Sequence, residues 1–472
     1  MTEAEYHSLY ARDPAACWRV FATMQEQVMA LGARLKATSA NSHFPPSRDL
    51  AKPKRNKANN SRERSGRKPG GQPGHTGHAL AFSDAPGKTV EIRQESCQCG
   101  HGFGAHDPPS AIERRQVHDI PKPALEVTEF QAMTLLCPAC GRHCKGAFPE
   151  DVSAPVQYGP DIRALAVNLH VRNFIPYGRA AELINDWYAA RLSAGTLRNF
   201  VEATARNAQP TIGNIKDGIA VAAVAHFDET GSRCCGKREW DHVASTAQLT
   251  FYFHHANRGC NAMDAIGILP RFNGTAIHDH FSPYYTYQEC GHAQCGAHLL
   301  RDNQGVHDAF GWQWPLTMKQ ILKDGKCMAD TAKAKGLDKL TDEQKAEFKL
   351  RYRNAIAEGR AEMPPPPVPR QKRRGRKARG KAHCLIDRHE VNEDQILRFI
   401  DDLRVPFDNN LAERDIRMDK LKQKISGGFR SKQGAKDFCD LRSIISTAVK
   451  QSIGAMTIIR ELVNGAPTSI ST

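Results

Sequence analysis

Two apolar stretches in the middle of the chain each run into an aspartate. Residues 219–227 (IAVAAVAHF) lead to Asp228, and residues 274–278 lead to Asp279. A carboxylate beside a buried strand is costly to desolvate unless something pairs with it. A strand-end Asp is also a common turn residue, so neither aspartate says much alone. Between them, residues 238–245 and 249–254 (LTFYFH) read as strands and residues 260–269 as a helix.

Three successive strands, a helix and a short strand ending in an acid make up the start of an RNase H-like fold. The two acids would then sit on adjacent central strands, with a third expected on a helix. Residues 405–417 (VPFDNNLAERDIR) supply Glu413, with Asp408 or Asn409 placed to cap its helix and Asp408 and Asp415 competing for the third position. The chemistry explains the demand for acids. Phosphodiester cleavage by two metals uses ions about 3.5–4 Å apart. Mg²⁺, or Mn²⁺ in its place, prefers hard oxygen ligands, and three carboxylates supply these while leaving room for water and phosphate.

The charge points to a polyanion. Lys and Arg number 66 against 51 Asp and Glu, a formal surplus of +15, and the excess is clustered rather than spread. Residues 38–80 are rich in Pro, Gly, Asn and basic side chains and cannot build a core. Arg67 and Lys68 there are placed to enter a minor groove. A second basic run, 370–381, carries Arg373, Arg374, Arg376 and Lys377, and Lys422 and Arg430 follow Glu413. All of these are expected on DNA phosphates.

Of the 14 cysteines, Cys137 and Cys140 form a CPAC knuckle of the kind that converges on zinc, and Cys97 with Cys99 would supply the other half, one residue short of the usual spacing. His101 or Cys144 could substitute. Short strands are expected around residues 89–92 and 127–130. The N-terminus shows no secretory signal, and no stretch reaches the roughly 18 apolar residues of a membrane span, so thiols in a reducing cytoplasm are expected. Phe21, Met24, Val28, Leu31 and Leu35 follow the seam spacing of a short coiled coil.

Several of these motifs, in order, resemble the insertion sequence 66 family of transposases. The resemblance rests on the N-terminal zipper, Asn41-Ser42 with Pro45-Pro46-Ser47-Arg48-Asp49, Arg67-Lys68-Pro-Gly-Gly-Gln-Pro-Gly-His75, the cysteine unit, Asp228-Glu-Thr, His278-Asp279 with Tyr284-Tyr285, and Asp408-Asn-Asn-Leu-Ala-Glu413-Arg. It implies that Asp228, Asp279 and Glu413 are the metal-binding catalytic acids. It also implies that Cys295 and His298 form a supporting C-x-x-H element, although Cys290 to His298 in isolation reads as a second zinc site.

The expected architecture is α/β: an RNase H-like core with a mixed sheet flanked by helices, an N-terminal coiled-coil helix, a zinc-binding unit and a helical DNA-binding region. Its expected divisions are 1–40 for the coiled coil, 41–87 for the basic linker and 88–150 for the zinc unit. Residues 151–218 form the helical region, 219–305 the first part of the core, 306–400 a helical and basic insertion, and 401–472 the second part of the core. The expected activity is Mg²⁺- or Mn²⁺-dependent cleavage and strand transfer of double-stranded DNA, both element ends and target, with Zn²⁺ structural. A homodimer or higher oligomer is expected, with accessory proteins of the same element as further partners and a location at the bacterial nucleoid. The rival readings are a catalytically inactive DNA-binding derivative and another nuclease of the same fold, such as a junction resolvase.

Overall fold

The computed structural model of the chain describes residues 80–121, 123–364 and 380–472, with scattered positions before 80. Among those positions Phe21, Met24, Val28 and Leu31 are helical and expose their side chains. Leu35 lies outside the described residues, so the coiled coil is not shown.

Residues 80–158 contain little regular structure. The expected strands at 89–92 and 127–130 do not form; a small antiparallel hairpin, Thr134–Leu136 with His143–Lys145, takes their place. No apolar residue before Tyr158 joins the three hydrophobic clusters of the described chain.

A helical cluster opens the packed part: α1 (Pro160–Val167), α2 (Tyr177–Tyr188), α3 (Ala194–Asn207) and α4 (Gln209–Ala220). Ser193 caps α3, accepting from the Thr196 amide. Ile212, Ile215 and Ile219 bury one face of α4, and this moves a boundary. The apolar run from 219 was expected to be strand throughout, but its first residues finish the helix. Strand β1 spans Val224–Cys234, which makes Asp228 its fifth residue rather than its end.

Strand β2 (Lys237–Ser245) returns antiparallel through Cys235 and Gly236, whose φ values of 51° and 75° suit a two-residue hairpin turn. Strand β3 (Thr250–His255) continues the meander. The chain then crosses over through α5 (Cys260–Ile266), so that β4 (Thr275–His278) lies parallel to β1 and β5 (Gly291–Gln294) parallel to β4. The sheet order is β3-β2-β1-β4-β5. This mixed five-stranded sheet flanked by helices is compatible with an RNase H-like core.

Four helices follow, α6 (Gly296–Phe310), most of which precedes the expected insertion at 306–400, and α7 (Trp314–Ala334), α8 (Asp342–Glu362) and α9 (Lys381–Val391) within that span, gathered around Trp314, Phe348 and Tyr352. A reciprocal Thr341–Gln344 capping box starts α8. Helix α10 (Asn410–Ser426) then packs on β1 and β2, α11 (Lys432–Lys450) on β3, and α12 (Ala455–Val463) on α1. Of the basic run 370–381, positions 370–379 lie outside the described residues.

Candidate active site

Strand pairing brings the first two acids together. Val224 pairs with Thr275, Ala225 with Ala276 and His226 with Ile277. Two residues past the last of these pairs lie Asp228, still within β1, and Asp279, one residue beyond the end of β4, and the charge of Asp279 acts on Asp228. Asp228 Oδ1 accepts from the Glu229 amide at 2.9 Å, and Asp279 Oδ1 from the Phe281 amide at 3.0 Å.

The third acid is delivered by packing at the start of α10. Gly296 donates its amide to Phe407 O at 2.8 Å, and a Cβ on Gly296 would stand 2.3 Å from the Phe407 ring, so only glycine permits this approach. Asn409 is buried and acts as a bolt. Its Nδ2 donates to Phe227 O (2.8 Å), its Oδ1 accepts from His226 Nδ1 (2.9 Å) and its amide donates to Cys295 Sγ (3.2 Å). The side chain that reaches the helix start comes instead from Asp408, whose Oδ1 accepts from the Asn410 amide at 3.1 Å. Glu413 follows one turn later, its amide bonded to Asn409 O at 3.1 Å.

Glu413 is held loosely. His298 Nδ1 lies 3.6 Å away, Arg417 3.7 Å, Arg301 3.8 Å and the Cys295 thiol 4.0 Å. The structure thus brings Cys295 and His298 to the third acid, with donor atoms of all three residues within 4.8 Å of one another. Burial pushes the Cys295 thiol up to about 12. Cys290 and His292 pair separately, 3.9 Å apart.

The acids sense one another. Burial, and then the neighbouring charges of Glu229, Asp279 and Glu413, push the Asp228 carboxyl well above the usual range. Glu229, not among the expected site residues, is central here. It is buried, accepts from Tyr284 Oη (2.6 Å) and Arg258 Nε (2.8 Å), and is pushed up to about 7 by burial and by Asp279, with Arg258 opposing. Arg258 stands 3.8 Å from Asp279 and stacks over the Phe281 ring at 3.9 Å. The Asp-Glu pair in the sequence was a signal for Glu229; Arg258 sits in the loop between β3 and α5 and gave none.

The expected DNA contacts divide. Arg67, Lys68, Arg373, Arg374, Arg376 and Lys377 lie outside the described residues. Arg430 is exposed, as a phosphate contact requires. Lys422 is not: it is 4% exposed, its Nζ sits 3.5 Å from the centre of the Phe429 ring, and burial lowers its pKa. It lies on the buried stripe of α10 with Ala412, Ile416 and Asp419, so it neutralises internal acids rather than phosphates.

The cysteine unit forms two knuckles without joining them. Backbone and side-chain hydrogen bonds from Cys99 lower the Cys97 pKa; amides of Ala139 and Cys140 do the same for Cys137. No three of Cys97, Cys99, Cys137 and Cys140 have thiols within 4.8 Å of one another. Among the described residues, no apolar side chain of this segment belongs to a hydrophobic cluster.

Carboxylates gathered on a mixed sheet, in a chain with a large basic surplus, are the features of a nucleic-acid-acting enzyme. Residues 155–437 match the Transposase IS66 family, a span that covers more than half of the chain and includes Asp228, Asp279 and Glu413. The chain belongs to the IS66 transposase family. Residues 16–81 match a family of unknown function (DUF6444). No curated protein matches the chain. No helix among the described residues is long and apolar enough to cross a membrane.

Proposed function

We propose that this protein is a DNA transposase of the DDE type with an RNase H-like core, which binds the ends of its element, cleaves them and joins them to target DNA. The observation that carries the reading is the convergence of Asp228 on β1 and Asp279 just past the end of the parallel β4, with Glu413 carried near them by the Asn409 bolt, so that the charges of both act on Asp228. Three carboxylates brought together fit a pair of Mg²⁺ or Mn²⁺ ions, and the repulsion that, with burial as the larger cause, raises Asp228 is what a divalent cation relieves. Metal ions held there supply activation of the attacking oxygen and stabilisation of the leaving oxygen.

The chain's own residues prepare that crevice. Glu229, clamped by Tyr284 and Arg258, fixes the loop that carries Asp279. Cys295 and His298 limit the directions open to Glu413. Water would attack at the element end first, and the freed 3′-hydroxyl would then attack target DNA in line. Exposed Arg430 and the two basic runs would hold phosphates. Both ends must be present together, which requires at least a dimer; the exposed helical face of Phe21, Met24, Val28 and Leu31 is the surface proposed for it. Zinc would join the Cys97–Cys99 and Cys137–Cys140 knuckles.

The test is cleavage of duplex DNA carrying the element end. Asp228→Asn, Asp279→Asn and Glu413→Gln should each lower cleavage by at least about a thousandfold while end binding stays within about threefold. Retained cleavage in Glu413→Gln with loss in Asp408→Asn would move the third ligand. A wild-type chain that binds ends but cuts nothing with Mg²⁺ or Mn²⁺ would establish the inactive derivative instead.

A further inference from the structure

A second cluster of metal-ligand type lies at the C-terminal end of β1, six residues beyond Asp228. Cys234 closes β1 and is fully buried; Glu239, two residues beyond Lys237 on β2, is 6% exposed; His254 lies on β3. Their donor atoms lie within 4.8 Å of one another. His254 Nε2 stands 2.7 Å from Glu239 Oε2, while its Nδ1 stands 2.6 Å from Asp241 Oδ1. Ser232 Oγ donates to the same Asp241 oxygen at 3.1 Å. The other oxygen of Asp241, also buried, has no hydrogen-bond partner among the described residues.

We propose that Cys234, Glu239 and His254 form a structural zinc site. One nitrogen of His254 is turned by a carboxylate, and the other faces a thiol and a second carboxylate. That is how a ligating imidazole is oriented by its outer partner. Sulfur, nitrogen and oxygen donors together suit Zn²⁺ better than Mg²⁺, which takes oxygen alone. Cys235 completes the set by a change of rotamer: its Sγ is 3.8 Å from that of Cys234, on the turn between β1 and β2.

The site would brace the catalytic helix. Phe429, in the turn after α10, donates its amide to Arg233 O (2.7 Å) and accepts from the Cys235 amide (2.8 Å), and its ring meets His254 edge-on at 5.5 Å. Zinc would therefore tie the hairpin to the segment that ends the Glu413 helix.

The experiment compares full-length wild type with Cys234→Ser, His254→Ala and Asp241→Asn, each stripped of metal and reloaded with Zn²⁺ or Co²⁺. Only differences between chains are read, so metal held elsewhere cancels. The expected result is one equivalent fewer in Cys234→Ser and His254→Ala, with part of the thiolate-to-cobalt absorption lost in Cys234→Ser. Asp241→Asn keeps every ligand, so it guards against misfolding of the others; it should bind that equivalent about 10–100-fold more weakly. Equal metal content and affinity in all four chains would overturn the site and leave His254 as a hydrogen-bonded bridge between Glu239 and Asp241.

Discussion

Glu413 and Asp415 lie two residues apart on α10, and the helix turns them toward different surroundings. Asp415 accepts from Ser245 Oγ at 2.7 Å, from Thr250 Oγ1 at 3.3 Å and from Lys450 Nζ at 2.8 Å. Its charge is satisfied by the sheet and by α11, so it is a brace. Glu413 has basic side chains no nearer than 3.6 Å, and its charge acts on Asp228. A carboxylate surrounded by short hydrogen bonds holds a fold together; one kept at longer range stays open to an incoming cation. Both acids were candidates for the third ligand, and local sequence could not separate them.

The sharpest way to break this comparison is to remove each acid and follow stability instead of activity. Asp415→Ala leaves Lys450 partly buried without its carboxylate and should lower unfolding stability by about 3 kcal/mol. Glu413→Ala should change it by no more than about 1 kcal/mol, since only ion pairs of 3.6 Å or longer are lost. Thermal and urea unfolding of the two variants check this, and equal losses would erase the distinction.

A smaller effect sharpens it. A ligand that binds only the folded chain stabilises it by mass action, about 1–3 kcal/mol at concentrations well above its Kd. Added Mg²⁺ or Mn²⁺ should therefore raise the unfolding midpoint of wild type and of Asp415→Asn by similar amounts. The rise should nearly vanish in Asp228→Asn and Glu413→Gln. A full rise in Glu413→Gln would place the cation elsewhere.

Much of the sheet was legible because alternation and apolar runs marked β2, β3 and β4 to within a residue or two. That β1 and β4 are neighbours agrees with the expected fold pattern, but their register was not read from the sequence. The start of β1 was misread because Ile215 and Ile219 belong to a helical face that flows straight into strand sequence, so one apolar run serves two periodicities. Lys422 was misplaced by reading its charge before its position. Ala412, Ile416 and Asp419 share its buried stripe, and only the fold shows that and Phe429 closing over it. Asn409 looked like a helix cap by residue type; its side chain is spent on β1, a contact 182 residues away in sequence that no local pattern encodes.

The central claim is that Asp228, Asp279 and Glu413 together hold divalent metal. Replacing Mg²⁺ with Fe²⁺ and generating hydroxyl radicals at the bound ion would test it directly, because the backbone is cut next to wherever iron sits. The account predicts cuts near residues 228, 279 and 413 in one chain, suppressed by excess Mg²⁺ and lost together in Asp228→Asn. Cuts at only one of these positions, or cuts that persist at all three in that variant, would contradict it.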